Sequence, residues 1–301
     1  MKNTVIGALA ISIAAILWGL DGVVLTPKLF NLDVALVVFL LHAIPFAIMN
    51  VFMFKQYRYI KRFDKKDVLY FSLIGLFGGF LGTFAIVKAL FLVNFNHLSI
   101  VVLLQKLQPV FAIALAAILL KEKIKKDYIV WASIAIFASY FLAFGFHTPD
   151  FNATNNIAQA SLWAVLAAFS FGSATVFGKK IVSKYPFYTS NFFRFGFTSI
   201  ITLVIVSLTG KLVLSSVTQT NWIYFLIIAF TTGSGAIFVY YYGLTRVKAM
   251  VATICELFFP VSAVIFDYMI NGTILSVVQW ISAIIMITAI VHISKNQNNQ
   301  K

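Results

Sequence analysis

Ten apolar runs, each about as long as a bilayer is thick, leave this chain little choice of fold. A helix needs roughly 20 apolar residues, at about 1.5 Å each, to cross the hydrocarbon core. Runs of that kind fall at about residues 4–26, 33–54, 68–93, 98–120, 127–146, 159–178, 187–209, 222–243, 249–270 and 275–294. They are too long for barrel strands of about 9–11 residues and read as helices, which satisfy their own backbone hydrogen bonds in lipid. With 61% apolar and 11% charged residues, no water-soluble surface can be assembled. The connections are too short to hold a soluble domain, and they make most successive helices antiparallel neighbours.

The basic residues orient the spans. When odd-numbered spans run from inside to outside, 18 of the 23 Lys and Arg fall inside, among them Lys2, Lys55 to Lys66, Lys121 to Lys126, Lys179 to Lys184, Arg246, Lys248 and Lys295. Only Lys28 and Lys211 fall outside. That bias predicts cytoplasmic termini, and it also explains the net charge of +14 without a nucleic-acid partner. The single cysteine, Cys255, excludes a disulfide framework and a cysteine metal site, and no metal or cofactor is expected. Met1-Lys2-Asn3-Thr4 and the apolar run after it have the look of a signal peptide, yet the run carries a motif repeated later in the chain, so it is expected to be retained.

The repeat is internal. Ile16-Leu17-Trp18-Gly19 matches Phe169-Ser170-Phe171-Gly172 at an offset of 153, Pro109 matches Pro260 at 151, and Ile124 matches Ile274. Two halves follow: residues 1–146 with spans one to five, and 159–294 with spans six to ten, joined by an external linker at 147–158 and followed by a polar tail at 295–301. An odd number of spans per half forces the second copy in upside down. The expected fold is therefore all-α and polytopic, with ten transmembrane helices in two inverted five-helix repeats (5+5). Inverted repeats of this kind place a solute site near the midplane, between the halves.

The Trp18-Gly19 ending of the first span, Leu107-Gln108-Pro109 with its Ala-rich continuation, Leu119-Leu120-Lys121-Glu122, Arg194, Tyr242-Gly243-Leu244 and Pro260 together resemble the EamA-type members of the drug/metabolite transporter superfamily. The likeness covers about residues 5–293. It implies a ten-helix carrier for small metabolites, often an exporter of amino acids or related compounds, with a cavity lined mainly by spans 1, 3, 4, 6, 8 and 9.

Residues that would carry transport stand out as polar groups inside apolar runs. Glu256 lies deep in the ninth span, where a charged group in lipid costs a few kcal/mol, so it should face protein or a watery cavity. Glu256, Pro260, Ala263 and Asp267 share one helical stripe, and the proline should kink the helix there. In the fourth span Gln105 takes the slot of Glu256, beside Lys106, with Gln108 three residues on and Pro109 as the matching kink. Trp18 and Phe171 are expected at equivalent points of the cavity wall, joined by Tyr241 from the run Tyr240-Tyr241-Tyr242. Arg194 and Lys88 are further candidates, the one also suited to bracing the bundle and the other to snorkelling. Asp21 and Asp267 are expected near the outer boundary and solvated, and His42 in the core. Gly75, Gly78, Gly79 and Gly82 form two overlapping small-residue pairs suited to close helix approach.

The reading is a secondary carrier working by alternating access, not an enzyme. Glu256 and Lys106 in one cavity suit an amino-acid-like zwitterion and, with the family resemblance, point to export. If the two charges neutralise each other, the solute is instead a neutral or aromatic compound and the carrier a drug-type exporter. An intramembrane lipid-modifying enzyme is the competing class, but His42, His97, His147 and His292 form no motif with an acid and a nucleophile, and no nucleotide-binding loop is present. Expected partners are the solute, the bilayer, and protons or another coupling ion; a homodimer is compatible with the sequence.

Overall fold

The computed structural model describes residues 2–93, 101, 104–146, 154–272, 274 and 276–296. Every element among them is helical. In chain order they are α1 (Lys2–Leu20), α2 (Val34–Met53), α3 (Lys65–Leu92), α4 (Gln108–Leu120), α5 (Lys126–Phe144), α6 (Thr154–Val182), α7 (Phe187–Leu208), α8 (Gln219–Leu244), α9 (Ala249–Ile270) and α10 (Val277–Asn296). Eight helical runs among the described residues are long and apolar enough to cross a membrane, where the sequence leads one to expect ten. Gln108–Leu120 and Lys126–Phe144 occupy the other two expected positions, and part of the expected 98–120 span lies outside the described residues. So do His97, His147 and most of the 147–158 linker.

The strongest packing pairs are α1 with α8 and α9, α3 and α4 with α6, α2 with α7, and α5 with α10. Glycines let several of these pairs close up. A Cβ on Gly19 would sit 2.1 Å from Ser262 Oγ and 2.9 Å from Ala263 N in α9, and one on Gly172 would sit 2.9 Å from Gln108 O and 3.0 Å from Ala112 N in α4. The Gly residue of each matched Trp/Phe-Gly motif thus lets its helix lie against the backbone of the proline-bearing helix. The two overlapping pairs in α3 divide their work: Gly75 and Gly79 abut Thr198 of α7, and Gly78 and Gly82 abut Ala174 and Phe171 of α6.

Several helices depart from α geometry in their interior. π-helical stretches occupy Asp21–Leu25 after α1, Ile74–Leu81 in α3, Ala116–Leu120 in α4 and Ala229–Gly233 in α8. A turn at Lys106–Leu107 immediately precedes α4 and one at Glu256–Leu257 breaks α9, just before Pro109 and Pro260 respectively. Pro260 has no N–H to give the Glu256 carbonyl, which accepts from Phe259 N at 3.0 Å instead. Glu256 therefore stands at the break itself, not one turn ahead of a kink on a continuous helix. Glu122, which the repeat leaves without an acidic counterpart, accepts from Ala249 N (2.9 Å) and Met250 N (3.1 Å) and so caps the start of α9.

One end of the bundle is held by charge. Asp64 and Asp67 form a reciprocal cap at the start of α3, and Lys184, from the α6–α7 connection, donates to both at 3.0 and 2.6 Å. Tyr185 donates to Asp67 at 2.6 Å. The hydrogen bond from the Asp67 backbone, then that from Lys184, holds the Asp64 carboxyl below its ordinary range. Hydrogen bonds to Asp67 and Asp64 hold the Lys184 ammonium above its own, and burial pushes Tyr185 up to about 12. A lowered carboxylate stabilises above its unfolded pKa, and a raised ammonium stabilises below its own. The tie is therefore intact between about pH 4 and pH 10. Lys184→Ala is expected to lower the melting temperature by a few degrees at pH 7 and by less at pH 3, as thermal unfolding in detergent would read. An equal loss at both pH values would assign Lys184 a packing role only.

Candidate functional site

A cavity of about 240 Å³ lies inside the bundle, walled by α1, α2, α3, α4, α6, α7, α8 and α9 together with residues Gln105 and Lys106 ahead of α4. Its position follows from the irregular helices. The turns before Pro109 and Pro260 bring Lys106 and Glu256 to the wall, and the π-helical stretches bring Asp21, Gly78, Thr232 and Gly233. Two carboxylates and two cations, Asp21 and Glu256 with Lys106 and Arg194, line it alongside aromatic rings.

Glu256 is served by neutral donors. Tyr240 OH reaches Oε1 at 2.7 Å and Thr175 Oγ1 reaches it at 3.2 Å, while Gln108 Nε2 donates to Oε2. The Tyr240 hydroxyl oxygen also lies 2.9 Å from Thr175 Oγ1, whose one proton goes either to it or to Glu256, and the Tyr240 ring packs on Trp18 with centroids 5.4 Å apart. Four helices, α4, α6, α8 and α9, thus converge on one carboxylate, with α1 joined through Trp18. Lys106 is buried with Nζ 4.0 Å from the centre of the Phe259 ring, and among the described residues it forms no ion pair with Glu256. The Lys106 amine thus lies over the face of the Phe259 ring.

Arg194 is braced and incompletely paired. Nη1 donates to Tyr241 OH at 3.3 Å and Nη2 to the Gly78 carbonyl at 3.4 Å, while Nε is buried without a partner among the described residues. Gln105 Oε1 and Thr253 Oγ1, on two more lining residues, are likewise buried and unpaired. Buried polar atoms are nearly always satisfied, and these three are exceptions among the described residues, as are Ser161 Oγ, Ser170 Oγ and both amide atoms of Asn191 away from the cavity wall.

The structure brings Glu256, Lys106, Gln105, Gln108, Trp18, Phe171 and Arg194 to this cavity, with Pro109 on its wall. It does not bring Lys88 or Tyr241 there. The α3 wall is the stripe Thr83, Ile86, Val87 and Leu90, and Lys88 lies off it, half-buried. Of the three tyrosines, Tyr240 faces the cavity and Tyr241 is buried behind it, holding Arg194. Asp21 is not an open, solvated group: helical structure continues past it to Leu29, and it lines the cavity, where Oδ1 accepts from Thr232 (2.8 Å) and Oδ2 from Thr26 (2.9 Å). His42 also reaches the wall, with Nδ1 2.8 Å from the Val38 carbonyl. The side chain of Asp267 lies outside the described residues. Thr175 and Thr253 carry no sequence signal, since threonine inside an apolar helix usually bonds its own backbone.

The model of the EamA-like transporter family matches residues 5–144 and again 158–295. The riboflavin transporter ImpX of Fusobacterium nucleatum subsp. nucleatum is 52% identical over 299 residues, covering 98% of this chain and 99% of the relative. A protein of known crystal structure shares the fold at a TM-score of 0.67 and 16% identity, over 100% of this chain and 99% of the other. With apolar membrane helices around an internal cavity and a family match over both halves, the chain belongs to the EamA-like transporter family: it is a multi-pass protein of the cell membrane that moves a small metabolite and is not an enzyme.

Proposed function

We propose that the solute is an uncharged, ring-bearing metabolite of the riboflavin class, carried by alternating access around the cavity that holds Glu256. The observation that carries this reading is the set of aromatic rings, Trp18, Phe171, Tyr240 and Phe259, on a wall that also includes the polar residues Gln105, Gln108, Thr253 and Arg194. A planar heterocycle stacks on such rings and offers both N–H donors and carbonyl acceptors to the polar atoms. The 52% identity to a protein named for riboflavin transport supports the same class. Glu256, already satisfied by three neutral donors, and Lys106, already seated on Phe259, do not demand a charged solute. Those two groups share one cavity, however, and this favours a second reading in which the solute is an amino-acid-like zwitterion.

The architecture in this proposal is ten spans, 5+5 inverted, with halves 1–146 and 159–294, an external linker at 147–158, and cytoplasmic termini. The packing pairs support it: exchanging each helix for its partner five positions along turns α1–α8 into α6–α3 and α1–α9 into α6–α4, and returns α2–α7 and α5–α10 to themselves. The paired turns before Pro109 and Pro260 fit the same exchange, and the 18-to-2 distribution of Lys and Arg supports the orientation. Glu256 is the residue best placed to carry a coupling proton, and export is the direction implied by the family resemblance.

The test is binding to the purified protein in detergent, read by quenching of flavin fluorescence, with amino acids as competitors. Saturable riboflavin binding, weakened several-fold in Trp18→Ala and untouched by amino acids, is expected. Binding of an amino acid with no response to riboflavin would replace the first reading by the second.

A further inference from the structure

Asp21 is a carboxylate in the same cavity that the charge cluster around Glu256 does not use. It opens the π-helical turn after α1, three residues beyond Trp18, and so shares that residue's face. Thr26 and Thr232 occupy two of its acceptor positions, and an ionised carboxylate has about four. The wall beside it is small or hydroxyl-bearing: Gly22, Thr26, Thr232 and Gly233. Trp18 itself leans the other way, onto Tyr240 and through it toward Glu256. Asp21 thus offers a second acceptor in the cavity, separate from the Glu256 cluster, beside small and hydroxyl-bearing residues and the edge of the Phe259 ring.

From this we infer that Asp21 is the specificity-determining residue for the solute's hydroxyl-bearing chain, with the ring held at the Glu256 cluster. The inference rests on the riboflavin-class reading and deepens it. Free carboxylate lone pairs accept hydrogen bonds from alcohols, and a hydrogen bond to an ionised acceptor is roughly twice as strong as a neutral one. The same negative charge repels an anionic group at the end of the chain. Asp21 therefore selects a neutral polyol tail twice over, by accepting from its hydroxyls and by excluding a phosphate ester in their place.

Three probes separate these effects in fluorescence titrations: riboflavin, lumichrome, which has the ring without the chain, and flavin mononucleotide, which ends the chain in phosphate. The wild type should prefer riboflavin to both of the others. In Asp21→Asn, riboflavin binding should weaken about tenfold, lumichrome binding should hold, and the mononucleotide should gain relative to riboflavin. Equal weakening of all three probes in Asp21→Asn would make Asp21 a helix tie and overturn the inference. Riboflavin binding with unchanged discrimination in Asp21→Asn would overturn it while leaving the riboflavin-class reading in place. Failure of the wild type to bind any flavin would overturn that reading and this inference together.

Discussion

Glu256→Gln is expected to slow solute transport by about tenfold to a hundredfold, the range given by losing one hydrogen bond to a charged group. The substitution keeps the shape, and Tyr240 and Thr175 can still donate to the amide oxygen. It removes the charge, however, and turns an acceptor of the Gln108 amide into a second donor. With Glu256 as the proposed carrier of a coupling proton, transport by the variant should also stop responding to a pH gradient. Tyr240→Phe removes one of three donors and leaves the carboxylate, so it should cost only several-fold and keep the gradient response. Initial rates in vesicles with and without an imposed pH difference would read both effects. A wild-type response to the gradient in Glu256→Gln would place the coupling elsewhere.

The second large effect belongs to the glycines of the repeat. Any side chain at Gly19 enters the backbone of α9, with Ala263 N at 2.9 Å and Phe259 O at 3.0 Å, and any side chain at Gly172 enters that of α4. Overpacking a close contact costs about 1–3 kcal/mol, and each kcal/mol moves the melting point of a chain this large by about 2–4 °C. Gly19→Ala and Gly172→Ala should each lose roughly 2–12 °C, and the valine variants should fail to accumulate as folded protein. At Gly22 the nearest atom to an added Cβ is 3.8 Å away, so Gly22→Ala should leave the melting point nearly unchanged. Equal melting points for Gly19→Ala and Gly22→Ala would show that α1 can shift away from α9 at little cost.

These two predictions divide along what the amino-acid order reveals. Apolar run length located the helices because the bilayer sets that length, and the matched Trp/Phe-Gly and Pro residues exposed the repeat because both halves solve the same packing problem. The prolines announced interruptions at α4 and α9, but the turn falls at Glu256 and Lys106, ahead of each proline, because the carbonyl that the proline leaves unserved lies a turn earlier. The π-helical turns had no sequence signal. They explain why Asp21, counted along an ideal helix, belongs at the boundary and yet lines the cavity. Three successive tyrosines sample nearly a full turn of helix, so the run guaranteed an inward ring without distinguishing Tyr240 from Tyr241. The cap that Glu122 places on α9 joins residues 127 apart, which no local pattern records.

The most direct test of the central claim, a carrier whose solute occupies this cavity, is counterflow in proteoliposomes. Vesicles loaded with unlabelled riboflavin are given a trace of labelled riboflavin outside, with the wild type, the Glu256→Gln variant and protein-free vesicles side by side. The account predicts transient, saturable accumulation of label by the wild type, much slower accumulation by Glu256→Gln, and no competition from external amino acids. Accumulation no greater than in protein-free vesicles, or equal in the variant and the wild type, would contradict it.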